Sequence, residues 1–125
     1  MFQLLLVALG GAVGALLRFM LGNILKIYFL HSFYATLCIN VIGSFLIGYL
    51  ISLGLVRSLS EDFIKYFLII GVLGSFTTFS AFSYEAIELF SSNKIFLFIL
   101  YVTLSIILCI VSSFVGIYLN KNWLN

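Results

Sequence analysis

Residues 95–120 read IFLFILYVTLSIILCIVSSFVGIYLN, 26 positions without a Lys, Arg, Asp or Glu. A helix needs about 20 apolar residues to cross the hydrocarbon core of a bilayer, so this run is long enough alone. It is continuously apolar, where a barrel strand would alternate. Three further charge-free runs, 1–17, 27–56 and 66–84, bring the total to 92 of 125 residues. The first must extend past Arg18 to about Lys26 to span, and the third past Glu85 toward Glu88. The expectation is an all-α integral membrane protein, one domain over 1–125, with transmembrane helices at about 2–25, 33–55, 63–91 and 96–120. The first run lacks a basic leader and a small-residue cleavage site, which reads as a mature helix rather than a secretory signal.

Composition agrees. The chain is 64% hydrophobic and 8% charged, contains no Pro, and has a mean hydropathy of +1.30. Ordinary soluble domains are about 45–50% apolar and about 25% charged, and a small domain has too little interior to hide such an excess. Disordered chains are apolar-poor and charge-rich, the opposite case. Six basic and four acidic residues, net charge +2, are too few for a nucleic-acid-binding face. Cys38 and Cys109 both lie inside long apolar runs, with no Cys/His cluster around them to suggest a metal centre. Both read as small hydrophobes.

The basic residues give little topological instruction. Arg57, Lys65 and Lys121 fall on one side, against Lys26, Lys94 and, if it reaches the interface, Arg18 on the other. This balance is compatible with insertion in both orientations and antiparallel pairing. Accessibility labelling of the two termini is expected to find each on both faces; every copy facing one way excludes it. Four helices hardly enclose a permeation path and still pack, so an oligomer is expected. Gly10/Gly14 and Ser44/Gly48 are small-xxx-small pairs, suited equally to packing within a subunit or to a dimer face.

Polar residues within the spans are costly and point to purpose. Arg18 either snorkels to the interface or sits in an aqueous vestibule and attracts anions. Thr36, Asn40 and Ser44, spaced by four, form one stripe on the second helix. An Asn amide has two N–H donors, suited to a small anion, although a membrane Asn also serves as interhelical glue. The run Gly71-Val72-Leu73-Gly74-Ser75-Phe76-Thr77-Thr78-Phe79-Ser80-Ala81-Phe82-Ser83 is poor helix filler, and a break is expected there. Freed carbonyls favour a cation and half-helix N-termini an anion; the competing reading is a continuous helix with back-bonded hydroxyls. Phe79 and Phe82 share a face, and aromatic edges are electropositive. Tyr101, Ser105 and Cys109 form a second donor stripe, with Ser112 and Ser113 beyond. Glu85 and Glu88 read as solvated or paired with Lys94. No stripe carries a carboxylate in the bilayer centre, and donor-rich, carboxylate-free tracks argue for an anionic passenger.

Three stretches then carry a resemblance. Gly10-Gly11-Ala12-Val13-Gly14-Ala15-Leu16-Leu17-Arg18-Phe19 resembles the GGxxGAxxRY opening of the Fluc (CrcB) fluoride channel family. Residues 35–48, ATLCINVIGSFLIG, resemble its GTLxxNxxGxFxxG, and residues 74–83, GSFTTFSAFS, its GGxTTFSTFS signature. The resemblance implies an antiparallel, dual-topology homodimer in a bacterial plasma membrane, with two pores passing fluoride and a central structural sodium ion. It implies main-chain carbonyls of Gly74 and Thr77 around the sodium, Asn40 as a pore amide, and Phe79 and Phe82 as pore rings. Tyr101, Ser105 and Cys109 match its polar track, beside Thr36, and Arg18 its vestibule. Ser75 and Ala81 depart from the signature, and Phe19 lacks the usual hydroxyl. Cys109 stands where a hydroxyl residue is expected, and a thiol is a weaker donor.

The nearest rival is a small proton-coupled exporter, which needs a titratable acid deep in the membrane; the first helix has none. An intramembrane Ser–His enzyme needs an embedded His, and His31, the single His, falls at a helix start. A purely structural subunit leaves the polar stripes without a purpose.

Overall fold

The computed structural model describes residues 1–53 and 61–123. Helix α1 covers Phe2–Tyr28, α2 Ser32–Leu53 and α5 Ile95–Trp123. Between them a π-helical segment, Phe63–Leu73, runs into the single turn α3, Gly74–Phe76, and helix α4 follows at Phe79–Ser91. The described residues thus supply four stretches long and apolar enough to cross a membrane, the third being Phe63–Ser91. The expected end of the second span at residue 55, and Arg57, lie outside the described residues. The first span runs to Tyr28 rather than 25, with Phe29 turning into extended backbone. Lys26 sits in its last turn, where a cation complements the helix dipole. The fourth begins at Ile95 and ends three residues later than the expected 120.

Helix α4 stops in a Schellman motif. Asn93 takes φ 57°, a left-handed conformation Asn tolerates better than most residues. The Lys94 N–H reaches Leu89 O at 3.0 Å and the Asn93 N–H reaches Phe90 O at 3.1 Å, satisfying carbonyls that the helix end leaves open. A reversal of two to three residues brings α5 back beside α2 and α4.

Glycines set how closely the helices approach. Gly10, Gly14 and Leu6 are the buried residues of α1, one narrow stripe with a spacing of four. A Cβ at Gly10 would meet Phe67 O, and one at Gly14 would meet Val72 O, both on the π-helical segment. On the other side of the bundle, Gly48 of α2 rests on the Ser113 backbone, while Gly116 of α5 rests on Phe45 and Tyr49. The Gly10/Gly14 pair therefore packs elements of the same chain. The Ser44/Gly48 pair divides, Gly48 packing against α5 and Ser44 facing a cavity.

Two apolar clusters fill the interior: Phe33, Phe82, Ala86, Leu89 and Tyr101 at one end, and Ile39, Leu73 and Phe76 toward the middle. Most large side chains of α1 and α5, such as Leu16, Ile24, Phe96 and Phe114, remain exposed. In water such a surface would be untenable, whereas in a bilayer it is solvated by lipid.

Candidate functional site

The third span breaks within the Gly/Ser/Thr-rich run, just after its glycines. Thr77 (φ −76°, ψ 154°) and Thr78 (φ −146°, ψ 115°) leave the helical region and α4 restarts at Phe79. The reason is 38 residues away in the sequence. Asn40 of α2 donates through Nδ2 to Thr78 O at 3.0 Å and accepts at Oδ1 from the Thr78 N–H at 2.8 Å. This side chain thus pairs with a free peptide as a neighbouring strand would. The Thr78 hydroxyl caps α4 by accepting from the Ala81 N–H at 3.1 Å. Such caps are worth about 1 kcal/mol. Hydroxyl back-bonding is also present, Thr77 to Leu73 O and Ser83 to Phe79 O, both at 2.9 Å, yet it does not keep the helix continuous.

Around this break the polar stripes stack in layers. The layer nearest the α1–α2 and α4–α5 connections holds Thr36, Tyr101 and Glu85. Thr36 Oγ1 donates to Glu85 Oε1 at 2.9 Å, and the Tyr101 hydroxyl donates to Glu85 Oε2 at 2.8 Å. Glu85 is 8% exposed. This corrects two expectations. Glu85 is neither solvated nor paired with Lys94, and the tracks are not free of carboxylate, because the α2 and α5 stripes converge on one. The hydroxyls of Thr36 and Tyr101 are accordingly committed to Glu85. A buried acid is tolerable only when its oxygens are hydrogen-bonded, and here each accepts a bond from a different helix. Sequence reasoning missed Glu85 by attending to its charge and not to its spacing. Phe82, Glu85, Ala86 and Leu89, at intervals of three, one and three, are the buried stripe of α4.

Two cavities of about 300 Å³ each lie next to this layer. Arg18, Asn23 and Lys26 of α1 line the first together with Thr36, Thr78 and Glu85. The Arg18 Nε is buried without a hydrogen-bond partner among the described residues. The second is lined by Asn40, Ser44, Phe79, Phe82, Ser105 and Cys109, with Thr77, Thr78 and apolar neighbours completing it. Thr78 belongs to both, so the broken backbone stands between them. Ser105 is 7% exposed and its Oγ has no hydrogen-bond partner among the described residues. Phe79 and Phe82 lie 5.2 Å apart at 44°, but Phe82 is 9% exposed and Phe79 77%. Ser112, at the far end of the α5 stripe, donates to Val41 O at 3.1 Å and fastens α5 to α2 instead of facing a cavity.

The sequence-derived residues therefore fall into three groups. Asn40, Phe79, Phe82, Ser105 and Cys109 meet at the second cavity, Arg18 and Thr36 at the first, with Tyr101 joined to Thr36 through Glu85, and Gly74 and Thr77 at the end of the broken helix. At that end, two carbonyls have lost their helical donors. The Thr78 N–H that would reach Gly74 O goes to Asn40, and the Ala81 N–H that would reach Thr77 O goes to the Thr78 hydroxyl.

Residues 5–117 match the family model described as CrcB-like protein, Camphor Resistance (CrcB). A fluoride-specific ion channel FluC of Campylobacter hominis is 41% identical over 122 residues, covering 96% of each chain. A protein of the same name from Agrobacterium fabrum is 37% identical over 98% of each chain. The Methanosarcina barkeri protein named fluoride-specific ion channel FluC 3 is 36% identical over 97% of this chain and 89% of its own. These relatives are named as ion channels and not as enzymes. With its four apolar spans the protein is a multi-pass membrane protein, and the chain belongs to the CrcB family.

Proposed function

We propose that the chain is a fluoride-selective passive channel that lets cytoplasmic fluoride run down its gradient out of a bacterial cell. The observation that carries the reading is the second cavity, whose lining brings the unpartnered Ser105 hydroxyl and the Asn40 amide together with Phe79 and Phe82. A buried hydroxyl without a partner costs about 1–3 kcal/mol, so the site favours an occupant that accepts hydrogen bonds. Fluoride is small and hard, and gives up its water only where donors replace it. The names of the relatives support the same passenger. The biology follows from weak-acid chemistry: neutral HF crosses lipid, ionises in a more alkaline cytoplasm and is trapped there as an anion.

The finer reading is a dual-topology antiparallel homodimer with two pores, its third span broken at the depth of the membrane middle. Phe79 is exposed, and so are Ile106 and Ile110 in the same cavity lining, an apolar face that supports a second copy covering it. Gly74 points the same way. A Cβ there would meet Ile69 O at 3.6 Å, ordinary contact, so this chain by itself does not demand glycine at the end of the broken helix. The balanced basic residues are consistent with both orientations.

A structural sodium ion fits the donor set. The carbonyls of Gly74 and Thr77 lie at a helix C-terminus, the negative end of its dipole, with their usual N–H donors diverted. A sodium ion held by these carbonyls would supply positive charge that offsets their dipoles. The chain's own part is to hold the carbonyls in place through Asn40 and the Thr78 cap.

The test is efflux from liposomes holding the purified protein, with fluoride and chloride compared. Fluoride is expected to leave rapidly and chloride to stay. Phe79→Ile, which removes the ring edge and keeps the apolar volume, is expected to slow fluoride by at least about tenfold, one to two kcal/mol of lost aromatic contact. Folded protein that releases no fluoride overturns the assignment.

A further inference from the structure

Cys109 lies in the second cavity at the place where its stripe otherwise offers hydroxyls, and it is a free, half-buried thiol. A cysteine alone means little, but one turn away Ser105 Oγ faces the same cavity, almost wholly buried and without a partner. That hydroxyl, with Asn40, Ser44 and Thr78, makes the cavity polar on one wall. At about 300 Å³ it has room for several waters, each taking about 30 Å³. The thiol thus borders a space with the room, and in Ser105, Asn40, Ser44 and Thr78 the polar groups, to hold water. Cys38 is placed otherwise. It is two residues from both Thr36 and Asn40, about 200° round α2 from that stripe, and lines neither polar cavity.

We propose that Cys109 is a modification site inside the permeation path, through which small, water-borne electrophilic sulfur compounds close this channel. The chemistry is thiol exchange. The Cys109 sulfur attacks the sulfenyl sulfur of a thiosulfonate, a disulfide forms, the S–SO₂ bond breaks, and the sulfinate leaves with the electron pair. The thiol proton goes to water. The group left behind occupies the cavity beside Ser105 and Asn40, where a fluoride ion would exchange its water for protein donors, and the path is blocked until a reductant removes it. The inference rests on the channel reading for its effect on flux, but not for the accessibility of the thiol.

The experiment uses the full chain in liposomes and the permanently cationic 2-(trimethylammonium)ethyl methanethiosulfonate, whose charge keeps it out of lipid. Intact-mass spectrometry counts adducts and peptide mapping places them, while fluoride efflux is recorded on the same sample. The wild-type chain and Cys38→Ser are expected to carry one adduct, on Cys109, and to lose at least about tenfold in efflux, restored by dithiothreitol. Cys109→Ser and Cys109→Ala are each measured against their own untreated rate and are expected to change less than about twofold, since no thiol remains in the path. Absence of an adduct on Cys109 in folded protein overturns the proposal, as does a Cys109 adduct that leaves fluoride efflux unchanged. Untreated wild-type protein that passes no fluoride removes the channel reading itself, and this baseline separates the two failures.

Discussion

Asn40→Asp is expected to abolish fluoride efflux, by about a hundredfold or more, while leaving much of the fold intact. The new carboxylate keeps an oxygen for the Thr78 N–H, now at 2.8 Å from Oδ1. It loses the Nδ2 donor that holds Thr78 O at 3.0 Å, and sets a negative oxygen against that carbonyl instead. Losing a buried hydrogen bond and stranding its acceptor costs about 1–3 kcal/mol in stability. The larger effect is on the passenger. A fixed negative charge about 5 Å from a fluoride ion, at an effective dielectric near 20, raises its energy by about 3 kcal/mol. Each 1.36 kcal/mol is about tenfold in rate. Asn40→Ala separates the two contributions, since it removes both bonds to Thr78 without adding charge. Liposome efflux and melting in detergent, measured on both variants, are the readouts. Equal efflux losses in the two make the effect structural, and Asn40→Asp passing fluoride at the wild-type rate removes Asn40 from the path.

The same side chain shows how far the sequence could be read. The four spans were legible because charges are absent over most of the chain, and in a bilayer that pattern alone fixes where a helix can lie. A break within Gly71–Ser83 was legible from its glycines and hydroxyl residues, but its location was not. The chain opens at Thr77–Thr78, after the glycines, because Asn40 is positioned to pair with that peptide. No local propensity contains a contact between residues 40 and 78. Glu85 was misread for a related reason. Its neighbours in sequence, Glu88 and Lys94, suggested a solvated end, whereas α4 winds it onto the buried stripe to meet Thr36 and Tyr101. The π-helical winding of Phe63–Leu73 left no trace in FIKYFLIIGVL, whose pattern reads equally as an ordinary helix. Spacing by four did locate the cavity. Asn40 and Ser44 from α2 meet Ser105 and Cys109 from α5 there, although Thr36 and Tyr101, on the same stripes, serve Glu85 instead.

Packing provides the largest expected effect on stability, at Gly14. A Cβ at that position would fall 2.8 Å from the Val72 carbonyl carbon and 3.0 Å from Val72 Cα, with Val72 O closer still. These are backbone atoms of the π-helical segment, which cannot rotate aside as a side chain does. Gly14→Ala must therefore push α1 away from that segment, and with it Gly10, whose own Cβ position is occupied by Phe67 O. Membrane helices associate largely through close van der Waals contact, since lipid offers no hydrophobic drive between them, and a contact opened along a whole helix is not recovered elsewhere. The expected cost is at the upper end of overpacking penalties, about 3 kcal/mol or more. It is to be read as a fall in the melting transition in detergent and as loss of the monodisperse peak. Gly22→Ala is the control on the same helix. Its Cβ would meet Ile39 Cδ1 at 3.7 Å, ordinary contact with the end of a flexible side chain. That change is expected to cost less than about 0.5 kcal/mol. Equal stabilities of the two variants would mean that α1 and the π-helical segment do not approach as closely as their glycines allow.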